Sequence, residues 1–296
     1  MPTLPTSPAA APAPSWPDFL SPEDVAPGDR KFGGYDFSGL RCQTVAHPDD
    51  PALETGFVLL DAEFGWRGEM EPIDVLRDRL AWPAPRPSPE PTFIYRMMLL
   101  WHHETCIGVR DHTAIHWPGS QEIIVHLSHV WLDPAWRGKG LAAILRALPM
   151  QSARQCAAVC GLVDPVITLA AEMDPWNPDK PECVRRTKSY QQAGYLKVDP
   201  SIAYRQPDFR PAVKIDAHGG PCPVPLDLVL RRVGRESEHL LAHAELVTIV
   251  RALYALYAMN VRQQDMQPCH DWFAHIAQDW PTSTIALVPP CTPPRV

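Results

Sequence analysis

The stretch LDPAWRGKGLAA, residues 132–143, combines two glycines with two cationic side chains where an apolar run gives way to a helical pattern. The first amides of a helix have no partner inside it, and they lie at the positive end of its dipole. Glycine lets the backbone come close to a ligand, and Arg137 and Lys139 add positive charge. The stretch therefore predicts a cradle for a phosphate or pyrophosphate. The local pattern is equally compatible with a plain turn whose cations are solvated, and neither GxxxxGK[ST] nor GxGxxG occurs.

Histidines on the preceding segment, IIVHLSHVWL, are candidates for proton transfer. In a strand, residues 126, 128, 130 and 132 share one face, and His129 points to the other. An imidazole titrates near neutral pH, so His126 is a candidate general base, with His129 as its structural control. A hydrogen-bonded strand histidine without a catalytic role is an equally good interpretation of His126. Glu122 and Asp111 are lesser candidates for the base.

Metal chemistry is not indicated by the histidines or the cysteines. The spacings of His102, His103, His112 and His116 fit strand surfaces as well as a ligand set. None of the eight cysteines shows CxxC or Cys/His finger spacing, so we expect reduced thiols and no metal.

Composition excludes several classes of protein. The net charge of -7 argues against general nucleic-acid binding, which usually requires a basic face. The apolar runs are shorter than the roughly 20 residues that a membrane helix requires. The N-terminus has no cationic start followed by an apolar core, so we expect no secretory signal, no membrane partner and a cytoplasmic location.

Periodicity predicts a mixed α/β fold with a mostly antiparallel sheet flanked by helices. The predicted order is a strand, two helices, three strands in an antiparallel meander, a helix interrupted by Pro149, a strand, a helix ending at Gly194, and two strands. We expect four regions: a Pro-rich disordered arm (1–37), the α/β domain (38–233), a helical extension (234–281) and a Pro-rich tail (282–296).

Two motifs in this order resemble the GNAT superfamily of acetyl-CoA-dependent acyltransferases. WLDPAWRGKGLAAILRAL resembles the central motif of the family, with Arg137, Gly140 and Ala142 at its defining positions. YQQAGY resembles the second signature, with Tyr190 three residues ahead of a Gly-aromatic pair. The resemblance covers about residues 38–233 and implies a GNAT-like mixed, mostly antiparallel sheet flanked by helices. The C-terminal helical extension, which periodicity predicts, lies outside the common domain of the family.

The sequence also departs from the family pattern. Cys183 and Arg186 stand where members often carry asparagine and alanine, and Pro149 is unusual within the long helix. These differences put the cofactor contacts around Cys183 in doubt and leave the phosphate loop unaffected.

The resemblance implies a role for each part of the loop. Acetyl-CoA would be the co-substrate, with its pantetheine arm along the backbone of Val130, Trp131 and Leu132. The amide of Leu132 would face the thioester carbonyl. Tyr190 would be the general acid, and His126 would take the amine proton through water. Amides of six residues would hold the pyrophosphate: Arg137, Gly138, Lys139, Gly140, Leu141 and Ala142.

The resulting prediction is an N-acetyltransferase in which a primary amine, on a small molecule or a peptide, attacks acetyl-CoA directly. The alternative is a degenerate GNAT-fold module that binds acyl-CoA or assembles with other chains without catalysis. A purely structural protein with an accidental loop is a third interpretation. The helical extension would cover the acceptor groove, pair two protomers in a homodimer, or pack on its own domain.

Overall fold

The computed structural model describes residues 16–83, 90–279 and 284–293. Within these residues the strands are, in chain order, β1 (Leu40–Val45), β2 (Thr92–His102), β3 (Thr105–His116), β4 (Glu122–Leu132), β5 (Val166–Met173), β6 (Leu196–Val198), β7 (Arg205–Gln206), β8 (Val224–Pro225), β9 (Asp227–Arg232), β10 (Leu240–Ala242) and β11 (Thr284–Val288).

The α-helices of the same described ranges are α1 (Ala52–Phe64), α2 (Ile73–Leu80), α3 (Leu141–Ala147), α4 (Pro149–Val159), α5 (Pro181–Gln192), α6 (Ala212–Ala217), α7 (His243–Tyr257) and α8 (Gln263–Asp279). Pro149 occupies the first turn of α4, where its missing N–H is not needed, so the predicted break falls between α3 and α4. After α5 the chain turns at Gly194, whose φ of +91° is the left-handed conformation expected beyond a helix end.

Nine strands form one sheet in the order β1-β2-β3-β4-β5-β9-β6-β11-β10. The predicted meander β2-β3-β4 is antiparallel. Strands β4 and β5 are parallel neighbours, and the crossover between them contains α3 and α4. The predicted fold class, a mixed α/β protein with a mostly antiparallel sheet flanked by helices, is confirmed.

The two parallel strands separate halfway along their length. Their register runs from Glu122 opposite Val166 to His126 opposite Ala170, and no pair is formed beyond this point within the described residues. Strand β4 continues for six residues, while β5 remains paired with β9 as far as Met173. We call the opening between residues 127–132 of β4 and 171–173 of β5 the strand cleft.

Helices cover both faces of the sheet. Alternation along β4 places Ile124 in the core cluster that contains Leu253 of α7, and Val125 in the cluster that contains Ala153 of α4. Helices α1 and α2 pack on the α7 face through β2 and β3. The strand cleft therefore opens between a face formed by α1, α2 and α7 and a face formed by α3, α4 and α5.

The expectation of a disordered arm through residue 37 is wrong for residues 16–37, whereas residues 1–15 lie outside the described ranges. Two 3-10 helices, Pro22–Asp24 and Pro27–Gly34, form in this segment, and Gly28 of the second one packs against Gln192 of α5. Leu20 and Val25 are 3% and 0% exposed in the core cluster of α3.

Ion pairs also fasten this segment. Asp29 forms a bidentate pair with Arg146 of α3, at 2.9 and 2.7 Å. Asp24 pairs with Arg154 of α4. Local composition missed these contacts because the partners lie more than a hundred residues further along the chain.

The region after residue 233 is not a purely helical addition followed by a tail. Helices α7 and α8 are present as predicted, but β10 precedes them and β11 follows them. Strand β11 lies between β6 and β10, so residues 284–288 of the predicted tail are part of the main sheet. Among the described residues no helix is both long enough and apolar enough to span a bilayer.

Candidate active site

The predicted phosphate loop connects β4 to α3 through two left-handed glycines. Asp133 ends the strand side, and its carboxylate accepts a hydrogen bond of 2.8 Å from the amide of Ala135. Gly138 has φ +78° and Gly140 has φ +75°, a conformation that other residues adopt only with strain. Gly140 is the N-cap of α3 and makes no side-chain cap, and no hydrogen bond between described residues uses the amides of residues 138–142.

The two cations of the loop differ in their contacts. Arg137 is exposed, and its Nε donates to the carbonyl of Leu132 at 3.2 Å. Lys139 lies over the ring of Trp136, with Nζ 4.4 Å from the centroid. The amide of Arg137 already donates to the carbonyl of Pro134, so the amides that remain for an anion are those of residues 138–142.

A cavity of about 170 Å³ lies beside the loop. Its lining comprises Asp36, Ser38, Leu40, His102, Trp136, Lys139 and Leu141. The carboxylate of Asp36 would repel a phosphate in this cavity, and therefore the loop amides are the better anion site.

The edge of β4 that faces the strand cleft presents backbone groups that are not paired with another described strand, although the carbonyl of Leu132 accepts from Nε of Arg137. The amide of Asp133 donates to the carbonyl of Ile107 on β3. In an antiparallel ladder every second residue bonds to the same neighbouring strand, so the backbone N–H and C=O of Trp131 also point toward β3. The backbone groups of Val130 and Leu132 consequently point to the opposite edge, from which β5 has departed. An extended ligand could add to β4 there as a further strand.

Tyr190 lies on the face of α3, α4 and α5. It is 6% exposed, and its ring packs edge-on against Tyr195 at 4.8 Å. The guanidinium of Arg146, held by Asp29, lies 5.8 Å from the centroid of the Tyr190 ring and donates to Ser189 of the same helix. Among the described residues the Tyr190 hydroxyl has no hydrogen-bond partner, which leaves it available to a ligand.

His126 lies on the opposite face, in a network of buried polar groups. Its Nε2 is 3.2 Å from Oε2 of Glu172 on β5 and 3.1 Å from the hydroxyl of Tyr257 on α7. Its Nδ1 is 3.2 Å from the hydroxyl of Ser128. His126 and Glu172 are both nearly inaccessible to solvent, with side chains 9% and 4% exposed.

Strand alternation failed beyond Leu127 because β4 contains a bulge. The β3–β4 register changes from Arg110 opposite Val130 to His112 opposite Leu127, so β4 holds one extra residue. Val130 and Leu132 pack with α3, on the face opposite His126. The prediction that residues 126, 128, 130 and 132 share a face is wrong.

His129 lies on the same face as His126, contrary to the prediction, in a structural ion pair. Its Nδ1 contacts the carboxylate of Asp111 at 3.2 Å, and its Nε2 donates to the carbonyl of Glu69 at 2.9 Å. Burial alone would lower the pKa of His129, but the charge and hydrogen bonds of Asp111 raise it to about 9. The same pairing outweighs burial at Asp111 and holds its pKa at about 2. The raised pKa keeps His129, the structural control, protonated at neutral pH, and Asp111, a lesser candidate for the base, is engaged in the ion pair with it.

The other candidates lie in unsuitable surroundings. Glu122 opens β4 at the end remote from the strand cleft, where burial, and then Glu245, raises its pKa to about 7. His112 is bonded to Ser152, and burial lowers its pKa to about 3. No group of His, Cys, Asp and Glu suitable for a metal ion occurs among the residues that the structure describes.

Sequence reasoning missed Glu172, Tyr204 and Tyr257. Glu172 could have been found, because a carboxylate in the buried strand VITLAAEM requires partners. Tyr204 and Tyr257, whose hydroxyls both donate to Glu172, belong to segments that carry no motif.

Acidic groups border the α1–α2 side of the site. Glu69 and Glu71 lie in the loop between α1 and α2, near His129. The charge of Glu71 helps to raise the pKa of His129, and the charge of His129 acts to lower the pKa of Glu69. Asp174 follows β5 directly and pairs with Arg186 of α5 at 3.2 Å. Burial raises the pKa of Glu69, with Asp174 adding to it, whereas Arg67 opposes it.

No protein-family model and no curated protein sequence matches the chain. Solved structures do show a likeness. A GNAT family acetyltransferase from Elizabethkingia anophelis with acetyl-CoA bound is 11% identical, and the match covers 66% of this chain and 99% of that one with a TM-score of 0.34. An acetyltransferase from Streptococcus agalactiae is 10% identical, with coverages of 66% and 99% and a TM-score of 0.36.

A third similar structure is an aminoglycoside acetyltransferase from an uncultured soil metagenomic sample, in complex with sisomicin. It is 12% identical, the match covers 51% of this chain and 86% of that one, and the TM-score is 0.35. At these identities and TM-scores the likeness assigns no activity to this chain.

Proposed function

We propose that this protein is a GNAT-type N-acetyltransferase, which moves an acetyl group from acetyl-CoA to a primary amine by direct attack. The observation that carries the proposal is the strand cleft itself. It opens beside the uncapped amides of residues 138–142, with Tyr190 on one face and His126 on the other.

The residues present fit acetyl-CoA, which would supply an acetyl group activated as a thioester. Amides at a helix start, with Arg137 and Lys139 beside them, suit a pyrophosphate. The outward backbone groups of Val130 and Leu132 suit the amides of an extended pantetheine arm, and the Leu132 N–H would donate to the thioester carbonyl.

Two proton transfers of the proposed reaction are assigned to side chains. A protonated amine first loses one proton, which makes its nitrogen a nucleophile. As this nitrogen bonds to the acetyl carbon, the carbon–sulfur bond breaks, the nitrogen loses a further proton and the sulfur gains one, so that one proton is released overall. His126 accepts the first proton through a water molecule, and the Tyr190 hydroxyl donates the proton that the sulfur gains. The placement of the two groups on opposite faces of the cleft keeps the base and the acid apart. Held in one orientation, the reactants need no covalent enzyme intermediate.

A cationic acceptor is favoured by the charge around the cleft. Glu69 lies next to His129 without an ion-pair partner among the described residues, whereas Glu71 is paired with Arg79 and Asp174 with Arg186. A protonated amine would be attracted to the carboxylate of Glu69. We expect polyamines and lysine side chains to be better acceptors than neutral or acidic amines.

The test is acetyl-CoA binding by calorimetry, followed by thiol release with a panel of amines. Tyr190→Phe is expected to lower kcat about 10-fold or more while binding acetyl-CoA nearly as well as wild type. The matched control is Tyr195→Phe, which removes the hydroxyl of the neighbouring ring. Binding without thiol release for any amine would support the non-catalytic alternative, and absence of binding would refute both.

A further inference from the structure

We infer that Glu172 and Tyr257 are positioning residues that hold His126 as the Nε2–H tautomer, so that Nδ1 is the atom that accepts the substrate proton. The role of that proton rests on the proposed function, whereas the tautomer follows from hydrogen bonding alone. The inference makes helix α7, which lies outside the part of the chain that resembles known enzymes, a component of the site.

Counting protons assigns the tautomer. The Tyr257 hydroxyl has one proton, and it is donated to Oε2 of Glu172. The contact of 3.1 Å between the Tyr257 oxygen and Nε2 of His126 therefore needs a proton on Nε2. The carboxylate oxygen 3.2 Å from Nε2 accepts only and requires the same proton. Neutral His126 then has its lone pair on Nδ1.

Glu172 is suited to orient an imidazole because its charge is firmly held. Hydroxyls of Tyr204 and Tyr257 and the amide of Gln206, at 2.7 Å, all donate to it. Burial would raise the pKa of Glu172, but the hydrogen bond and charge of His126, with the two tyrosine hydroxyls, lower it overall. A carboxylate that stays ionised and buried fixes the ring and its tautomer, as the orienting acid does in other histidine bases.

Nδ1 faces Ser128, at 3.2 Å from its hydroxyl. Ser128 lies in the bulge of β4, which is the place where β4 turns toward the strand cleft. The hydroxyl can accept a proton from a bound water or amine and donate its own to Nδ1, so the bulge connects the buried base to the cleft. The titratable groups around His126 are Glu172 on β5, Tyr257 on α7, Tyr204 after β6, and His112 on β3.

The first test reads the tautomer directly in the full-length protein. Nitrogen-15 NMR on histidine-labelled protein, with His126→Gln to assign the signal, distinguishes the two neutral forms. We expect protonated Nε2 and unprotonated Nδ1. A neutral His126 with its proton on Nδ1 would overturn the inference.

The second test uses a pair of tyrosines on one helix. Tyr257→Phe removes a buried hydroxyl that is bonded to both Glu172 and His126. Tyr254→Phe removes a buried hydroxyl that donates to the carbonyl of Arg205 at 2.7 Å and is hydrogen-bonded to neither of them. We expect Tyr257→Phe to lower kcat about 10-fold or more with little change in KM. We also expect it to move the acid limb of the pH profile upward, because fewer donors share the charge of Glu172. Tyr254→Phe is expected to retain activity within about twofold and an unchanged profile.

The outcomes separate this inference from the proposed function. Equal effects of the two substitutions on kcat and on the pH profile would show that the hydroxyl of Tyr257 is only structural. If wild-type protein releases no thiol with any amine, the proposed function fails, and the NMR measurement still decides the tautomer. If both tyrosine variants are unstable, the wild-type NMR spectrum remains decisive.

Discussion

The buried ion pair between Asp29 and Arg146 provides a quantitative test of how the N-terminal segment is held. Asp29→Ala removes a carboxylate whose side chain is 2% exposed and leaves the guanidinium of Arg146, 7% exposed, without its partner. Breaking such a pair from one side costs about 3–5 kcal/mol, because the remaining charge is buried and uncompensated. This is a large part of the 5–15 kcal/mol by which a typical domain is stable.

A surface pair in the same chain supplies the control. Glu54 and Arg77 lie 3.1 Å apart, but their side chains are 71% and 38% exposed. Water and salt screen such a pair, so Glu54→Ala is expected to cost about 1 kcal/mol or less.

The assay is urea unfolding followed by fluorescence and circular dichroism. The double variant Asp29→Ala with Arg146→Met should recover much of the lost stability, because no unpaired charge remains buried. A loss below about 1 kcal/mol for Asp29→Ala, matching that of Glu54→Ala, would show that residues 27–34 do not pack on α3 as described.

The remaining predictions concern the loop and the second ion pair. Gly140→Ala and Gly138→Ala should each cost about 1–2 kcal/mol of folding stability because both glycines are left-handed; Gly140→Ala should cost more, since its Cβ would lie 3.0 Å from Phe32, while Gly138 faces open space. Equal thermal unfolding midpoints would refute that packing. The raised pKa of His129 means that its pairing with Asp111 stabilises the fold fully below pH 6.5 and that this contribution, on the order of 3 kcal/mol, is lost as the pH rises through about 9. His129→Gln should remove this part of the pH dependence in denaturant titrations, and a wild-type stability that is constant from pH 6.5 to 9 would contradict it.

The elements that position the site were predictable because each has a local signal. Period-two runs gave β2, β3 and β4, and the helical stripe after Lys139 with its Pro149 break gave α3 and α4. The left-handed glycines follow from the same logic, since only glycine adopts that conformation without strain.

The missed features depend on contacts between distant parts of the chain. The sequence LSHV contains no signal for a β-bulge, so strand alternation predicted the wrong face of the sheet for Val130 and Leu132. The Pro-rich start has the composition of a disordered arm, and it is ordered because Asp29 pairs with Arg146, which lies 117 residues further along the chain. Tyr257 approaches His126 across 131 residues, and no periodicity of α7 distinguishes it from an ordinary core tyrosine.

The most direct measurement is a crystal structure of the full chain grown with saturating acetyl-CoA. We predict the pyrophosphate within about 3 Å of the amides of residues 138–142 and the pantetheine arm paired with Val130 and Leu132. The thioester carbonyl should face the amide of Leu132. Acetyl-CoA bound elsewhere on the protein, or a strand cleft that stays empty under these conditions, would contradict the assignment of this site.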